Sequence, residues 1–219
     1  MSLEKLAEEF WTWRLATLPD CRDDLPRVQR PPGWLPDWSA GAIADRGRTL
    51  AELTRRHRDL DLSAEPVSVQ VDGRLLGSAL AKAHWELELI RGWERHPEFY
   101  LDQSLVPVYL LLLEPPPFDD QRATAIVDRL RNVPVVLEQA RENLAEHAGA
   151  PFARCALQLL SEVDGSIETA MAALGPMLPD RQAAELPAAT RAAVDAVAGY
   201  RDWLTERLPS WGEIGRAHV

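Results

Sequence analysis

Apolar residues recur at steps of three and four along almost the whole chain, and this period limits the fold more than any other feature of the sequence. Near the N-terminus, Leu3, Leu6 and Phe10 fall on one stripe of a helix. The one alternating stretch, residues 67–71, is followed by helical spacing, so it is either the first turn of a helix or an extended lead-in to one. We therefore predict an all-α fold, a single domain of about eight helices in long antiparallel packing.

A proline-rich connection follows the first predicted helix and runs from Pro19 to Asp37. Proline fixes φ and removes a backbone donor, so this segment should be irregular rather than helical or a central strand. Two large aromatic residues near its end, Trp34 and Trp38, are expected to anchor it to the body of the protein.

Prolines and glycines also predict where later helices begin and end. Pro97 should end the helix that includes residues 76–90, and Pro134 should open a new helix in its tolerated first position. A long helix is predicted from Pro151 to the break at Gly175, and the last helix should begin near Asp180 or residue 188.

The charge balance excludes several classes of partner. The 219 residues carry a formal net charge of −10, without the basic cluster that nucleic acid or an anionic membrane attracts. We expect neither as a partner. Cys21 and Cys155 form no metal-binding spacing and are expected to be reduced thiols. The N-terminus lacks the features of a secretory signal, and the apolar run 105–113 is too short to span a bilayer, so we expect a cytoplasmic protein.

The last seven residues, 213–219, differ from the rest because they show no helical period and no cap. Back-translated as GAG ATC GGA AGA GCA CAC GTC, they match from the second base onward the start of a common short-read sequencing adapter. The next adapter triplet in this frame is a stop codon. We therefore expect a non-native tail after Gly212, in which His218 has no functional role.

Motifs that carry chemistry are missing from the sequence. It contains no His-Glu-x-x-His, no glycine-rich phosphate loop after a strand and no Gly-x-Ser-x-Gly elbow. Neighbouring carboxylates, such as Glu86 and Glu88, lie two apart on a predicted helix and point in different directions. We expect no catalytic residue, no metal ligand and no cofactor in this chain.

One segment, residues 91–102, concentrates aromatic and charged groups at a predicted corner between two helices. The corner is a candidate wall of a substrate groove, formed by Trp93, His96, Tyr100 and Asp102. The alternative is a structural hinge that binds nothing. The sequence leaves both interpretations open.

Several stretches, taken in order, resemble the N-terminal half of a bacterial family known as domain of unknown function 885. They are FWTWRLATLPD near the start, GWLPDWS at 33–39, VDGRLLGSAL at 71–80, WELELIRGWERHPEFYLDQ at 85–103, PPPFDDQRATAIVDRLRNVPVVLEQARENL at 115–144 and YRDWLTERLP at 200–209. The resemblance covers residues 1–212 and implies a mostly helical protein more than twice this length.

The resemblance also implies a C-terminal half that is similar to a zinc metallopeptidase, with a His-Glu metal motif on a helix. In such a site zinc acidifies a bound water and the glutamate acts as base. No position of this chain matches that motif, so the resemblance gives this chain neither a ligand nor a catalytic residue. It implies instead that this half forms a wall of the substrate groove.

Two functions follow as hypotheses. The first is the truncated N-terminal half of a zinc-dependent metallopeptidase-like hydrolase, inactive alone, whose partners are its own missing C-terminal half and a peptide substrate. The alternative is a complete helical binding or scaffold protein. In that case a groove lined by some of the eight tryptophans would hold a peptide or a partner helix.

Overall fold

The computed structural model describes residues 2–21, 30–163 and 165–212, and every regular element within these ranges is helical. Eight of the helices have nine residues or more, so the prediction of an all-α single domain of about eight helices is confirmed. The predicted tail at 213–219 and residues 22–29 of the predicted connection lie outside the described residues. The helices are α1 (Leu3–Thr17), α2 (Ala40–Arg58), α3 (Val67–His84), the one-turn α4 (Gly92–Arg95), α5 (Pro97–Leu112), α6 (Asp120–Leu144), α7 (Ala150–Val163), α8 (Ser166–Leu174) and α9 (Asp180–Arg207).

Within this domain the helices group into two compact units. The first contains α1, α2, α3 and a π-helical turn, Trp85–Ile90, and the second contains α5 to α9. The boundary falls at Gly92, and the proline-rich connection contributes residues to both units. No helix in the described part of the chain is long and apolar enough to cross a membrane.

The first unit is held together by one apolar cluster in which each of its three α-helices contributes a stripe. Complete burial of one such side chain stabilises a fold by about 1.5–3 kcal/mol. Ser2 and Ser39 cap the first two helices by accepting hydrogen bonds from the backbone N–H groups of Lys5 and Ala42. The buried members of the cluster are Leu3, Leu6, Phe10, Leu50, Leu53, Leu76, Leu80 and Ala83.

Helix α3 settles the ambiguity of the alternating stretch, because Val67 is its first residue. At its other end the helix widens into the π-helical turn, in which the N–H of Arg91 donates to the carbonyl of Glu86 at 3.3 Å. Arg91 adopts the left-handed conformation (φ 52°) and ends the helical run. The prediction that Pro97 ends this helix is therefore wrong, and Pro97 instead opens α5.

In the second unit, α5 and α6 are antiparallel, as predicted. Tyr100, near the start of α5, receives a hydrogen bond from Asn143, near the end of α6. Further along, Arg129 of α6 donates to the carbonyl of Pro107 on α5. The bond from Arg129 to this carbonyl therefore joins the two helices near the middle of α5.

Helices α6 and α9 depart from the predicted antiparallel arrangement and run parallel. At their N-terminal ends, Gln182 donates to the hydroxyl of Thr124 at 2.9 Å. At their C-terminal ends, Arg207 donates to the carbonyl of Ala145. The intervening helices α7 and α8 return the chain to the start of α6, which makes parallel packing possible.

Two further predicted helix boundaries are wrong, whereas α9 begins at Asp180, one of its two predicted starts. Pro134 lies inside α6 and Pro187 inside α9, although each ring removes one intrahelical hydrogen bond. Val133 and Val136, on either side of Pro134, are fully buried, so the apolar stripe of α6 continues past the proline. The helix predicted from Pro151 to Gly175 is divided instead at Gly165, whose φ of +77° is left-handed.

The described parts of the connection are anchored, as predicted, by their tryptophans. The indole of Trp34 donates to the carbonyl of Ala16 at 2.8 Å. Trp38 is 3% exposed and packs edge-on against Phe99, with ring centroids 4.6 Å apart. Gln103 adds a bond that the sequence did not suggest.

Gln103 bonds both backbone groups of Asp20 from a site that is 1% exposed. Its amide oxygen accepts from the Asp20 N–H at 3.1 Å, and its amide nitrogen donates to the Asp20 carbonyl at 2.7 Å. This pair of hydrogen bonds satisfies the backbone N–H and carbonyl of Asp20, which a helix or strand would otherwise pair with backbone groups. It fixes the start of the connection on α5.

We predict that Gln103→Leu lowers the free energy of unfolding by about 2 kcal/mol, because the two buried backbone groups of Asp20 both lose a hydrogen-bond partner. Urea denaturation followed by circular dichroism would measure this loss. The matched control is Gln158→Leu, the same change at an exposed position of α7, which should cost less than about 0.5 kcal/mol. Equal stability of the two variants would contradict the structural role of Gln103.

Candidate functional site

The predicted corner, residues 91–102, includes the one-turn helix α4 and the first residues of α5. Tyr100 is completely buried, and its hydroxyl donates to the carbonyl of Trp93. The hydroxyl of Tyr200 donates to the carbonyl of Pro97 at 2.9 Å. Burial raises the pKa of Tyr200 well above its usual range, so the hydroxyl stays protonated and available as a donor.

The four residues predicted to form a groove wall occupy two kinds of environment. Tyr100 has no exposed surface and belongs to the core, where it is joined to Trp93 by a hydrogen bond. Trp93, His96 and Asp102 are half-buried. The tight bonding of Tyr100 favours the hinge interpretation for that residue, and the groove wall stays a prediction for the others.

His96 caps α5 without a side-chain hydrogen bond to it and lies instead against an aromatic ring. Its imidazole is tilted over Phe152, with ring centroids 3.9 Å apart. Burial lowers the pKa of His96, while the nearby carboxylate of Glu98 opposes the shift and Arg95 adds to it. At neutral pH the ring is therefore uncharged and can pack as an aromatic surface.

Two partners of the corner were missed by sequence reasoning. Glu94 is 7% exposed and lies 3.5 Å from the imidazole of His147. Asn143 donates to both the hydroxyl of Tyr100 and the carbonyl of Trp38. These three contacts join residues at least 43 positions apart, so no local pattern could reveal them.

A second candidate site is a groove between α2 and α3, within the first unit. Its volume is about 560 Å³, which falls in the range of small-ligand sites. This groove was not among the sites expected from the sequence. We call it the α2–α3 groove, and it is lined by Gly47, Leu50, Ala51, Thr54, Arg55, His57, Arg58, Gly77, Leu80, Ala81, His84 and Glu88.

Two glycines shape this groove by allowing side chains to approach a helix backbone. A Cβ atom on Gly77 would lie 2.9 Å from Cε1 of His57, and one on Gly47 would lie 3.2 Å from Oε1 of Glu88. Nε2 of His57 donates to the carbonyl of Gly73 at 2.8 Å, which lays the ring across α3. The two helices are therefore antiparallel, with Gly47 opposite Glu88 and His57 opposite Gly77.

The metal that the family resemblance implies does not fit the described residues. Across residues 2–21, 30–163 and 165–212, no three His, Cys, Asp or Glu side chains converge to hold an ion. His84 and Glu88 line the same groove, but a structural or catalytic zinc needs at least three protein ligands.

The lowered pKa of His96 predicts a dependence of stability on pH. The unfolded chain binds a proton at this position more readily than the folded chain, so the contribution of neutral His96 is complete above pH ~6.5 and is lost as pH falls below that value. We expect the free energy of unfolding to decline more between pH 7.5 and 5.5 in the wild type than in His96→Phe. Urea titrations at both pH values test this, with His84→Gln as the control for loss of an exposed histidine. Identical pH dependence of wild type and His96→Phe would refute the account.

Comparisons with known proteins give a family and a fold. The profile of the family described as "Bacterial protein of unknown function (DUF885)" matches residues 29–214, which confirms the resemblance found in the sequence. No protein of curated function matches the chain.

A similar solved structure is described as "a putative lipoprotein of unknown function from Shewanella oneidensis". The two folds superpose with a TM-score of 0.72 at 15% identity. The alignment covers 94% of this chain and 37% of the other, so this chain spans little more than a third of that protein. The family profile covers well over half of the 219 residues of this chain, and the chain therefore belongs to the DUF885 family of bacterial proteins.

Proposed function

We propose that this chain is the N-terminal helical part of a zinc-dependent metallopeptidase-like hydrolase, and that it forms a wall of the substrate groove. The observation that carries the proposal is the similarity of nearly the whole chain to about a third of a longer, related fold. The fold of this chain thus occurs as one part of a larger protein.

In this proposal the hydrolytic chemistry lies in the remainder of the protein. The described residues of this chain contain no set of metal ligands, so zinc and its catalytic glutamate would belong to the other part. This chain would contribute shape and polarity to the groove through Trp93, His96 and Asp102, against which a peptide substrate would lie. Alone, it would be inactive.

A surface on the first unit is suited to contact with the remaining part. Val67, Val71 and Leu75 recur every four residues along α3 and are 75%, 43% and 63% exposed. The π-helical turn adds Trp85 and Leu89, which are 52% and 56% exposed. We call these five residues the α3 apolar stripe, and large exposed apolar groups of this kind mark contact surfaces.

We also propose a cytoplasmic location, a reducing compartment in which the free thiols of Cys21 and Cys155 would stay reduced. The similar solved structure is described as a "putative lipoprotein". At 15% identity the likeness concerns the fold alone.

The first test is to read the source gene past the codon for Gly212. We expect the reading frame to continue for several hundred codons and to encode a His-Glu motif on a predicted helix. The full-length protein should then contain zinc in a one-to-one ratio by elemental analysis and should hydrolyse peptides. A frame that stops near Gly212 would remove the enzyme proposal and leave a helical binding or scaffold protein as the function.

The α3 apolar stripe gives a test on the chain itself. If the remaining part covers it, the isolated chain should bind a hydrophobic dye and self-associate at high concentration, and Leu75→Ser with Leu89→Ser should reduce both by about half or more. Dye fluorescence and sedimentation velocity measure the change. The control pair is Val135→Ser with Tyr109→Ser, which are equally exposed on the second unit. A monomeric wild-type chain that binds no dye and melts sharply would favour the scaffold alternative.

A further inference from the structure

We propose that the α2–α3 groove binds a short peptide in an extended conformation, with the peptide ammonium at Glu88 and its carboxylate at Arg58. The proposal depends only on the groove and not on the hydrolase proposed above. It would hold equally for a binding protein.

The acidic end of the groove is formed by Glu88. Its Oε1 lies against α2, where Gly47 has no side chain to displace it. No cationic group in the described part of the chain forms an ion pair with Glu88, whereas its neighbour Glu86 is paired with Arg14. A carboxylate held at a groove end without a cation is a site for a ligand ammonium.

The basic end is formed by the last turn of α2, which contains three arginines and His57. Arg55 is bonded to Glu52 at 2.7 Å and to Asp59 at 2.9 Å. Arg56 is bonded to a carboxylate of α1 at 2.6 Å.

Arg58 differs from these two arginines. It lines the groove and pairs with no carboxylate among the residues that the structure describes. Part of the basic cluster offsets the dipole at the C-terminus of α2, but two arginines are already neutralised locally. The guanidinium of Arg58 is therefore the group left to receive an anion, and a carboxylate matches its planar fork.

The distance between the two ends selects the ligand. Gly47 and His57 are ten residues apart on α2, and a helix rises 1.5 Å per residue, so the groove is about 15 Å long. An extended chain covers about 3.3 Å per residue, which corresponds to four or five residues. A single amino acid is too short, because its two charges are separated by only one carbon atom.

The floor of the groove suits a peptide backbone with small side chains. Leu50 and Leu80 are buried beneath it, and Ala51 and Ala81 line it without filling it. Thr54 adds a hydroxyl between the two ends of the groove, and this hydroxyl can bond a peptide carbonyl. The mixture of apolar floor and charged ends distinguishes the groove from a purely hydrophobic docking face.

The experiment uses the 219-residue chain and tetraalanine with free termini as the probe. We expect the backbone amide signals of Gly47, Thr54 and Gly77 to shift saturably in two-dimensional NMR, with a Kd of about 1 mM because an open groove gives few buried contacts. Ala51→Phe should abolish the shifts by filling the groove. Ala44→Phe, on an exposed position of the same helix outside the groove, is the matched control and should bind normally.

The direction in which the peptide binds is tested with peptides that have one terminus chemically blocked. Glu88→Gln should weaken binding of tetraalanine about fivefold but leave N-acetyl-tetraalanine unaffected, because that probe has no ammonium. Arg58→Gln should weaken tetraalanine by a similar factor and leave tetraalanine amide unaffected. Both charged residues are exposed, so circular dichroism should show unchanged folding. The proposal is overturned if peptide capped at both ends binds as tightly as free peptide, or if free peptide shifts none of the groove amides.

Discussion

Side-chain amides replace secondary structure wherever the proline-rich connection passes over the second unit, and the organisation of that unit depends on these bonds. Asn132 donates to the carbonyl of Pro36, Gln139 bonds the backbone N–H of Trp38 and the carboxylate of Asp37, and Asn143 bonds the carbonyl of Trp38. All three amides lie on one face of α6. They bond backbone groups of the connection as a neighbouring strand would. Without them, the backbone groups of Pro36 and Trp38 would lose these hydrogen bonds.

The sequence predicted the class of fold because the helical period is continuous and strand signals are nearly absent. It failed where long-range packing outweighs a local rule. Pro134 was expected to open a helix, but buried residues on both sides of it keep α6 continuous. The parallel packing of α6 and α9 was also missed, since it depends on contacts such as that of Gln182 with Thr124, which no local pattern encodes.

The candidate sites were predictable to different degrees. The density of aromatic and charged residues at 91–102 identified the corner, but not that Tyr100 is completely buried or that Asn143 bonds it. The α2–α3 groove was invisible because it exists only when two helices are paired. Its signal in the sequence is a pair of glycines, Gly47 and Gly77, each inside a helix. Glycine in a helix is unfavourable by about 1 kcal/mol relative to alanine.

The π-helical turn at the end of α3 has a consequence for how chains of this family can change in length. A π turn contains about one residue more than an α turn, as the insertion of a single residue into a helix would produce. Loss of one residue between Trp85 and Ile90 would restore an ordinary helix without disturbing the buried Leu76 and Leu80 upstream. Alignments of related sequences are therefore expected to place one-residue gaps in this segment rather than in the surrounding loops.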